Sequence, residues 1–200
     1  MKKNIKYNTA LSTGINAQNS NKIFDGIYEG NGILAFQHNI CSGLDDRYKK
    51  CDAIYSEPAW KDGYEIFTKN SIAESTSYEE YLTTISKVIR ELNVPAFLLC
   101  GKKMLKLLNP DKTMETKLTV HGGYKCFYAI YNYNVEITGI TEQFGMIDYV
   151  CKNFDCILDF CCGYGIIVKD AIKYNKNCIL SDINLSCLDW INENYIIGVE

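Results

Sequence analysis

No stretch of this chain is apolar for long enough to cross a bilayer, and the polar opening Met1-Lys-Lys-Asn-Ile-Lys-Tyr-Asn8 has none of the hydrophobic run of a secretory leader. The expectation is a cytoplasmic protein with no membrane partner. Histidine is scarce, at two residues, and none of the ten cysteines is spaced C-x-x-C. The usual zinc, haem and disulfide patterns are therefore missing, and no metal site is expected. Cys51, Cys100, Cys156 and Cys178 fall in apolar runs and read as small buried hydrophobes in a reducing compartment. A dominant charge is missing too: the net of −3 argues against binding nucleic acid by bulk electrostatics alone. Internal repeats and low-complexity tracts are also absent.

What is present is an ordinary globular composition, 47% apolar and 22% charged over 200 residues, which suits one domain with a buried core. Residues 1–22, rich in Asn, Ser and Thr, read as a flexible arm, leaving 23–200 as the domain. Charge is unevenly spread. Six lysines between Gly101 and Lys125 face only Asp111 and Glu115, while the acids concentrate after Thr141. Lys102, Lys103 and Lys106 are candidate phosphate contacts, although lysine-rich helix faces are usually only solvated.

Apolar runs predict seven strands, at Gly32–His38, Cys51–Ser56, Val94–Cys100, Tyr124–Tyr131, Tyr133–Ile140, Asp155–Phe160 and Asn177–Asp182. Several are apolar throughout, as strands buried on both faces are. Tyr128–Ile140, two alternating aromatic runs meeting at Asn132, predicts a hairpin and hence one antiparallel strand. Its tyrosines, with Tyr124, read as the edge of a core. Helices are predicted over Ser77–Arg90, with a Ser cap answered by Glu80, and over Gln143–Lys152, Gly165–Tyr174 and Leu185–Tyr195.

The most informative stretch is Asp155-Cys-Ile-Leu-Asp-Phe-Cys-Cys-Gly-Tyr-Gly165, an apolar strand entering a glycine turn, followed by the strand Asn177-Cys-Ile-Leu-Ser-Asp182 ending in an acid. Strand, Gly-x-Gly turn, helix and strand-end carboxylate form half of a nucleotide-binding sheet, because backbone closely approaches a ligand where glycine removes the Cβ. It sits in the last quarter of the chain, so the preceding residues must build the rest of the sheet. The second motif is Cys51-Asp-Ala-Ile-Tyr-Ser-Glu-Pro-Ala-Trp60, a buried strand that stops at an acceptor, a proline and a large ring.

Glu57-Pro-Ala-Trp60 resembles the Asp-Pro-Pro-Tyr/Trp signature of S-adenosylmethionine-dependent methyltransferases acting on adenine N6 or cytosine N4, and Asp159-Phe-Cys-Cys-Gly-Tyr-Gly165 is similar to their cofactor motif. The order of the two is that of the permuted, β-type members, and the resemblance runs from about Ile33 onward. It implies a doubly wound, mostly parallel seven-stranded Rossmann-like α/β sheet with one antiparallel strand. It implies S-adenosyl-L-methionine as cofactor, bound by Asp159, Cys161, Gly163 and Gly165, by Asp182 at the ribose hydroxyls, by Gln37, His38 and Asn39 near the adenine, and by Gln143 and Phe144 over the methionine. Read locally instead, Asp159 caps its turn, Asp182 caps the last helix, and His38 is a satisfied structural residue.

An exocyclic base amine delocalises its lone pair into the ring, so acceptors must hold it in line with the electrophilic methyl group. The resemblance implies Glu57 and the Pro58 carbonyl as those acceptors and Trp60 as the stacking platform for a flipped base. Two positions depart from the signature. Glu57 replaces a shorter acid or amide, and its added C–C bond moves the carboxylate by roughly 1.5 Å; Ala59 replaces the second proline, which implies a looser turn. Only about Gly139–Glu142 stands where DNA enzymes of the family insert a recognition domain. The implied function is methyl transfer to a base amine, adenine N6 in DNA first, with nucleic acid as partner (DNA before RNA) and a second subunit or copy supplying recognition. Two other readings stay open: a degenerate methyltransferase-fold subunit that scaffolds a partner enzyme or binds nucleic acid, and a small-molecule methyltransferase.

Overall fold

The computed structural model describes residues 26–70, 76–120, 124–140 and 142–197. The arm expected over residues 1–22 lies outside them. Among the described residues there is one eight-stranded sheet: β1 (Ile27–Gly30), β2 (Ile33–Gln37), β3 (Ala53–Ser56), β4 (Ala96–Gly101), β5 (Lys112–Val120), β6 (Tyr124–Tyr131), β7 (Cys156–Asp159) and β8 (Asn177–Asp182). The helices are α1 (Lys61–Asn70), α2 (Tyr78–Leu92), α3 (Lys102–Leu108), α4 (Gln143–Asn153), α5 (Val168–Lys173) and α6 (Leu185–Ile191).

The strand order is β1-β2-β8-β7-β3-β4-β6-β5. The five central strands, β2 to β4, are parallel, and β1 and β6 run against their neighbours. All four residues of β3 and all six of β4 are buried. Because side chains alternate across a strand, Tyr55, Phe97, Leu99 and Ile157 join one core with Met146, Val150, Val168 and Leu188 of α4, α5 and α6. Ile54, Leu98, Cys100 and Leu158 join the other with Leu82, Ile85 and Ile89 of α2 and Met104 of α3. Helices thus cover both faces, as an apolar parallel sheet requires.

Six of the seven expected strands form. Tyr133–Ile140 does not: β6 already has β4 on one side and β5 on the other, so no ladder position is left beside it. Tyr133 instead packs its ring edge-on to Phe97 at 5.1 Å. The hairpin partner is β5, Lys112-Thr-Met-Glu-Thr-Lys-Leu-Thr-Val120, and the sheet has two antiparallel strands where one was expected. β5 and β1 escape an apolar-run search because each borders the sheet with one neighbour only. The helix expected from Gly165 starts at Val168, after a run of turns with Gly163 and Gly165 at φ +49° and +68°. α6 ends at Ile191 and continues as a π turn over Asn192–Ile196.

Helix α2 obeys its expected cap. Ser77 Oγ accepts from the Glu80 amide at 3.1 Å and Glu80 returns the bond to the Ser77 amide at 2.9 Å. Ser77→Ala is expected to cost about 1 kcal/mol, read as a lower midpoint in urea denaturation.

Candidate active site

β7 is followed by α5 on one face and β3 leads to α2 on the other, so the sheet reverses its winding between β3 and β7. Loops leaving the carboxyl ends of such strands diverge and leave a crevice. The cleft found there is lined by residues after β2 (His38, Asn39), after β3 (Glu57, Ala59), after β7 (Cys161, Gly163) and at the end of β8 (Asp182), with Tyr64 of α1 and Tyr81 of α2. Both sequence motifs meet at this crevice.

The junction is stitched by side chains. Ser56 Oγ donates to Asp159 Oδ1 at 2.7 Å, and the same oxygen accepts the Cys161 amide at 3.1 Å. Asp159 is 1% exposed. Burial, above all, pushes its carboxyl up to about 7, against those two donors and with added repulsion from Glu57 and Asp182. Asp182 receives the Gly163 amide on Oδ2 at 2.8 Å and the Asn184 amide on Oδ1 at 2.9 Å. Its carboxyl is also raised by burial, with the backbone donors opposing. Asp182 therefore anchors the glycine turn, while Asn184, whose side-chain carbonyl accepts from the Ser186 amide, caps α6. A Cβ on Gly163 would meet nothing within 4 Å, so that turn opens to space, whereas one on Gly165 would meet Val168 at 2.9 Å and Ile191 at 3.2 Å; Gly165 packs α5 against α6.

The Glu57-Pro-Ala-Trp60 turn is not loose, contrary to the expectation from Ala59. The amide of Ala59 donates to Tyr81 Oη at 2.8 Å and its carbonyl accepts from Tyr78 Oη at 3.2 Å. Tyr81 Oη also lies 3.3 Å from Cys161 Sγ, so one hydroxyl of α2 bridges the turns after β3 and β7. Its ring stacks on Tyr64 with centroids 4.7 Å apart. A proline at position 59 could not donate this bond, so the departure and the clamp belong together. Glu57 Oε1 accepts from Tyr55 Oη at 2.9 Å and from the Gln143 side-chain amide, and burial raises its carboxyl against those donors.

The remaining expected residues divide. His38 and Asn39 line the cleft, but His38 Nε2 is 3.0 Å from the Gly43 carbonyl and Asn39 caps the turn at Ile40–Ser42. Gln37 Nε2 donates to the Ile183 carbonyl at 2.9 Å. Pro58 is buried, and neither Pro58 nor Trp60 is among the cleft-lining residues. The Trp60 ring lies on the Gly101 backbone, where a Cβ would come within 2.9 Å of it. Phe144 is 56% exposed and does not line the cleft. Lys102, Lys103 and Lys106 are exposed on α3, which begins beside that Trp60 seat, while Met104 and Leu108 are buried. Tyr64, Tyr78 and Tyr81 were not anticipated as site residues: Tyr78 and Tyr81 lie inside the expected helix Ser77–Arg90, and Tyr64 in a segment where no element was expected. Among the described residues no group of three or more His, Cys, Asp and Glu is arranged to hold a metal ion, and no lysine or arginine lines the cleft. Glu57 and Asp182 line the cleft without a counter-cation, an arrangement that favours positive charge.

No protein-family model matches the chain, and no curated protein does. Among solved structures it is similar to M1.HpyAVI, at 11% identity and a TM-score of 0.53 over 82% of this chain and 100% of that one. The M1.HpyAVI–SAM complex is similar at 10% identity and a TM-score of 0.50, over 80% and 98%. TTHA0409 of Thermus thermophilus, a proposed DNA modification methylase complexed with S-adenosyl-L-methionine, lies further off at 8% identity and 0.49, over 80% and 91%. Identities this low establish a shared fold.

Two outcomes follow from the geometry. Folding raises Asp159 from 3.8 to about 7, so the stability associated with its neutral form is present below pH 4 and lost as pH rises to 7; Glu57 and Asp182 act in the same sense. Asp159→Asn keeps an acceptor for Ser56 and Cys161, and is expected to flatten this part of the stability curve measured by denaturation at a series of pH values. Gly101 has φ −87°, which alanine adopts freely, so Gly101→Ala is expected to displace the Trp60 ring while leaving the circular dichroism of the fold unchanged. Trp60 fluorescence in a Trp190→Phe background reads the displacement.

Proposed function

We propose that this chain is an S-adenosylmethionine-dependent methyltransferase of the permuted, β-type family, acting on the exocyclic amine of a base, with adenine N6 in DNA as first choice. One observation carries the reading: the acceptor turn at Glu57 and the glycine turn held by Asp182 open on the same acidic cleft, at the winding reversal of a sheet with the M1.HpyAVI fold. The strand order supports the permuted form, because the central pair β7 and β8 comes last in the chain. The M1.HpyAVI fold has also been seen as a SAM complex.

The cleft fits this cofactor. Its carboxylates offset a sulfonium and an α-ammonium, and Gly163 leaves room for close approach. Asp182 accepts from the Gly163 amide on Oδ2 and the Asn184 amide on Oδ1, and its two oxygens have acceptor capacity left for a ribose hydroxyl. Cys161, Gly163 and Asp159 line or support the methionine end, with His38 and Asn39 toward the adenine. Bound S-adenosylmethionine supplies a methyl group on a good leaving group. Glu57 and the Pro58 carbonyl accept from the substrate amine and orient it for in-line attack. The amine proton would pass to Glu57 or water, and with a good leaving group on the cofactor no strong base would be needed. Trp60, next to cleft-lining Ala59, and the exposed Lys102, Lys103 and Lys106 of the helix that starts at its Gly101 seat would offer stacking and phosphate contacts to nucleic acid.

The connection from β6 to α4, residues 132–142, is too short for a recognition domain. Sequence specificity is accordingly low or comes from a partner. A second reading, a subunit that kept the fold and scaffolds an active enzyme, is favoured by the Trp60 ring, one face of which is already taken by Gly101.

Calorimetric titration with S-adenosylmethionine and labelled methyl transfer to DNA and RNA test the reading together. Glu57→Ala is expected to lower transfer on the order of 100-fold or more with cofactor affinity nearly intact, and Asp182→Ala to weaken binding about tenfold or more. Cofactor binding with no transfer to any nucleic acid would select the scaffold. Parent-like transfer in both variants would overturn the site.

A further inference from the structure

Both donors to Glu57 meet one oxygen. Tyr55 lies two residues back on β3, so its side chain leaves the strand on the same face, and its fully buried ring lets the hydroxyl reach Oε1 at 2.9 Å. Gln143, the first residue of α4, brings its amide to the same atom from a segment 86 residues away. Oε2 has no partner among the described residues. The extra methylene of Glu57 would otherwise let the carboxylate sweep through several rotamers; two donors from separate elements pin it.

We propose that Tyr55 and Gln143 are positioning residues that hold Oε1 of Glu57 and so reserve Oε2 for the substrate amine. The proposal rests on the methyltransferase reading for its chemistry and on the hydrogen bonds for its geometry. It reassigns Gln143 from covering a cofactor to orienting an acceptor. It also explains how a longer acid serves where the family signature has a shorter one: the length is taken up by tethering.

The tether has an electrostatic side. Around Glu57 stand Tyr55 on its own strand, Tyr128 on β6, Asp159 at the end of β7, Asp182 at the end of β8, Cys161 after β7, His38 and Cys41 after β2, Tyr64 on α1 and Tyr81 on α2. No lysine or arginine lines the cleft, and His38 is placed against Asp45 at 3.8 Å. Burial disfavours the ionised form, and the Tyr55 and Gln143 bonds favour it. Removing either donor therefore raises the pH at which Glu57 ionises.

The full chain is labelled with carboxyl-13C glutamate, and the Glu57 signal is assigned by its loss in Glu57→Gln. Tyr55→Phe and Gln143→Met are each expected to move the Glu57 titration upward by about 0.5 to 1 pH unit. The acid limb of the methyl-transfer rate moves with it, while S-adenosylmethionine affinity stays within about twofold. Gln143→Glu, which puts an acid in place of the donor, moves the titration furthest. A Glu57 signal titrating at the same pH in parent and variants overturns the proposal whatever the transfer rate. A signal that moves in a parent with no transfer activity upholds the tether and removes the methyltransferase reading. Should Tyr55→Phe fail to fold, the two variants of half-buried Gln143 decide the matter alone.

Discussion

β3 and β7 lie side by side although about 100 residues separate them, and everything at the cleft depends on that pairing. Their parallel ladder, Ala53 beside Ile157 and Ile54 beside Leu158, brings the two strand ends together, and the 2.7 Å bond from Ser56 to Asp159 closes the junction in a place that water does not reach. Burying a carboxylate there is unfavourable by itself, which is why it carries a hydroxyl donor and an amide donor on one oxygen. The turns that leave the two strands start from this fixed point: Glu57 is one residue beyond Ser56, and Cys161 is two beyond Asp159. A shift of one residue in the pairing would send Ser56 to the opposite face and separate the turns.

Tyrosine hydroxyls tie down what the strands leave free. Tyr81 holds Ala59 and meets Cys161, Tyr78 holds Ala59 from the other side, and Tyr55 holds Glu57. Phenols suit this work because a ring can be buried in the core while its polar end reaches a neighbour. The result is a rigid acceptor turn beside an acidic, cation-receptive cleft.

Much of the fold is legible in the amino-acid sequence. β3, β4, β7 and β8 are apolar runs because both faces are buried, and α2 announces itself through Ser77 and Glu80. The borders are harder to read. β5, with its charged and hydroxylated residues, looks like a loop because an edge strand can leave part of its surface to water. Tyr133–Ile140 looks like a strand because its residues alternate, yet β6 had no free edge to offer it. For the site, Asp159, Asp182, Cys161, Gly163 and Glu57 are found from motif position and do gather. Trp60 and Phe144 do not line the cleft and Gln143 turns to Glu57, since spacing along a chain does not say which way a side chain turns.

Local chemistry alone determined where strands end and which residue follows: a glycine turn after Asp159, an acid ending β8, an acceptor and a proline after β3. These are short-range properties, set by steric and hydrogen-bonding preferences of a few adjacent residues. Only the tertiary structure decided that Gln143 reaches Glu57, that Tyr81 substitutes for a rigid proline, and that Gly101 seats Trp60. Those contacts join segments between 22 and 86 residues apart and arise when the sheet and its helices pack, and no local preference encodes them.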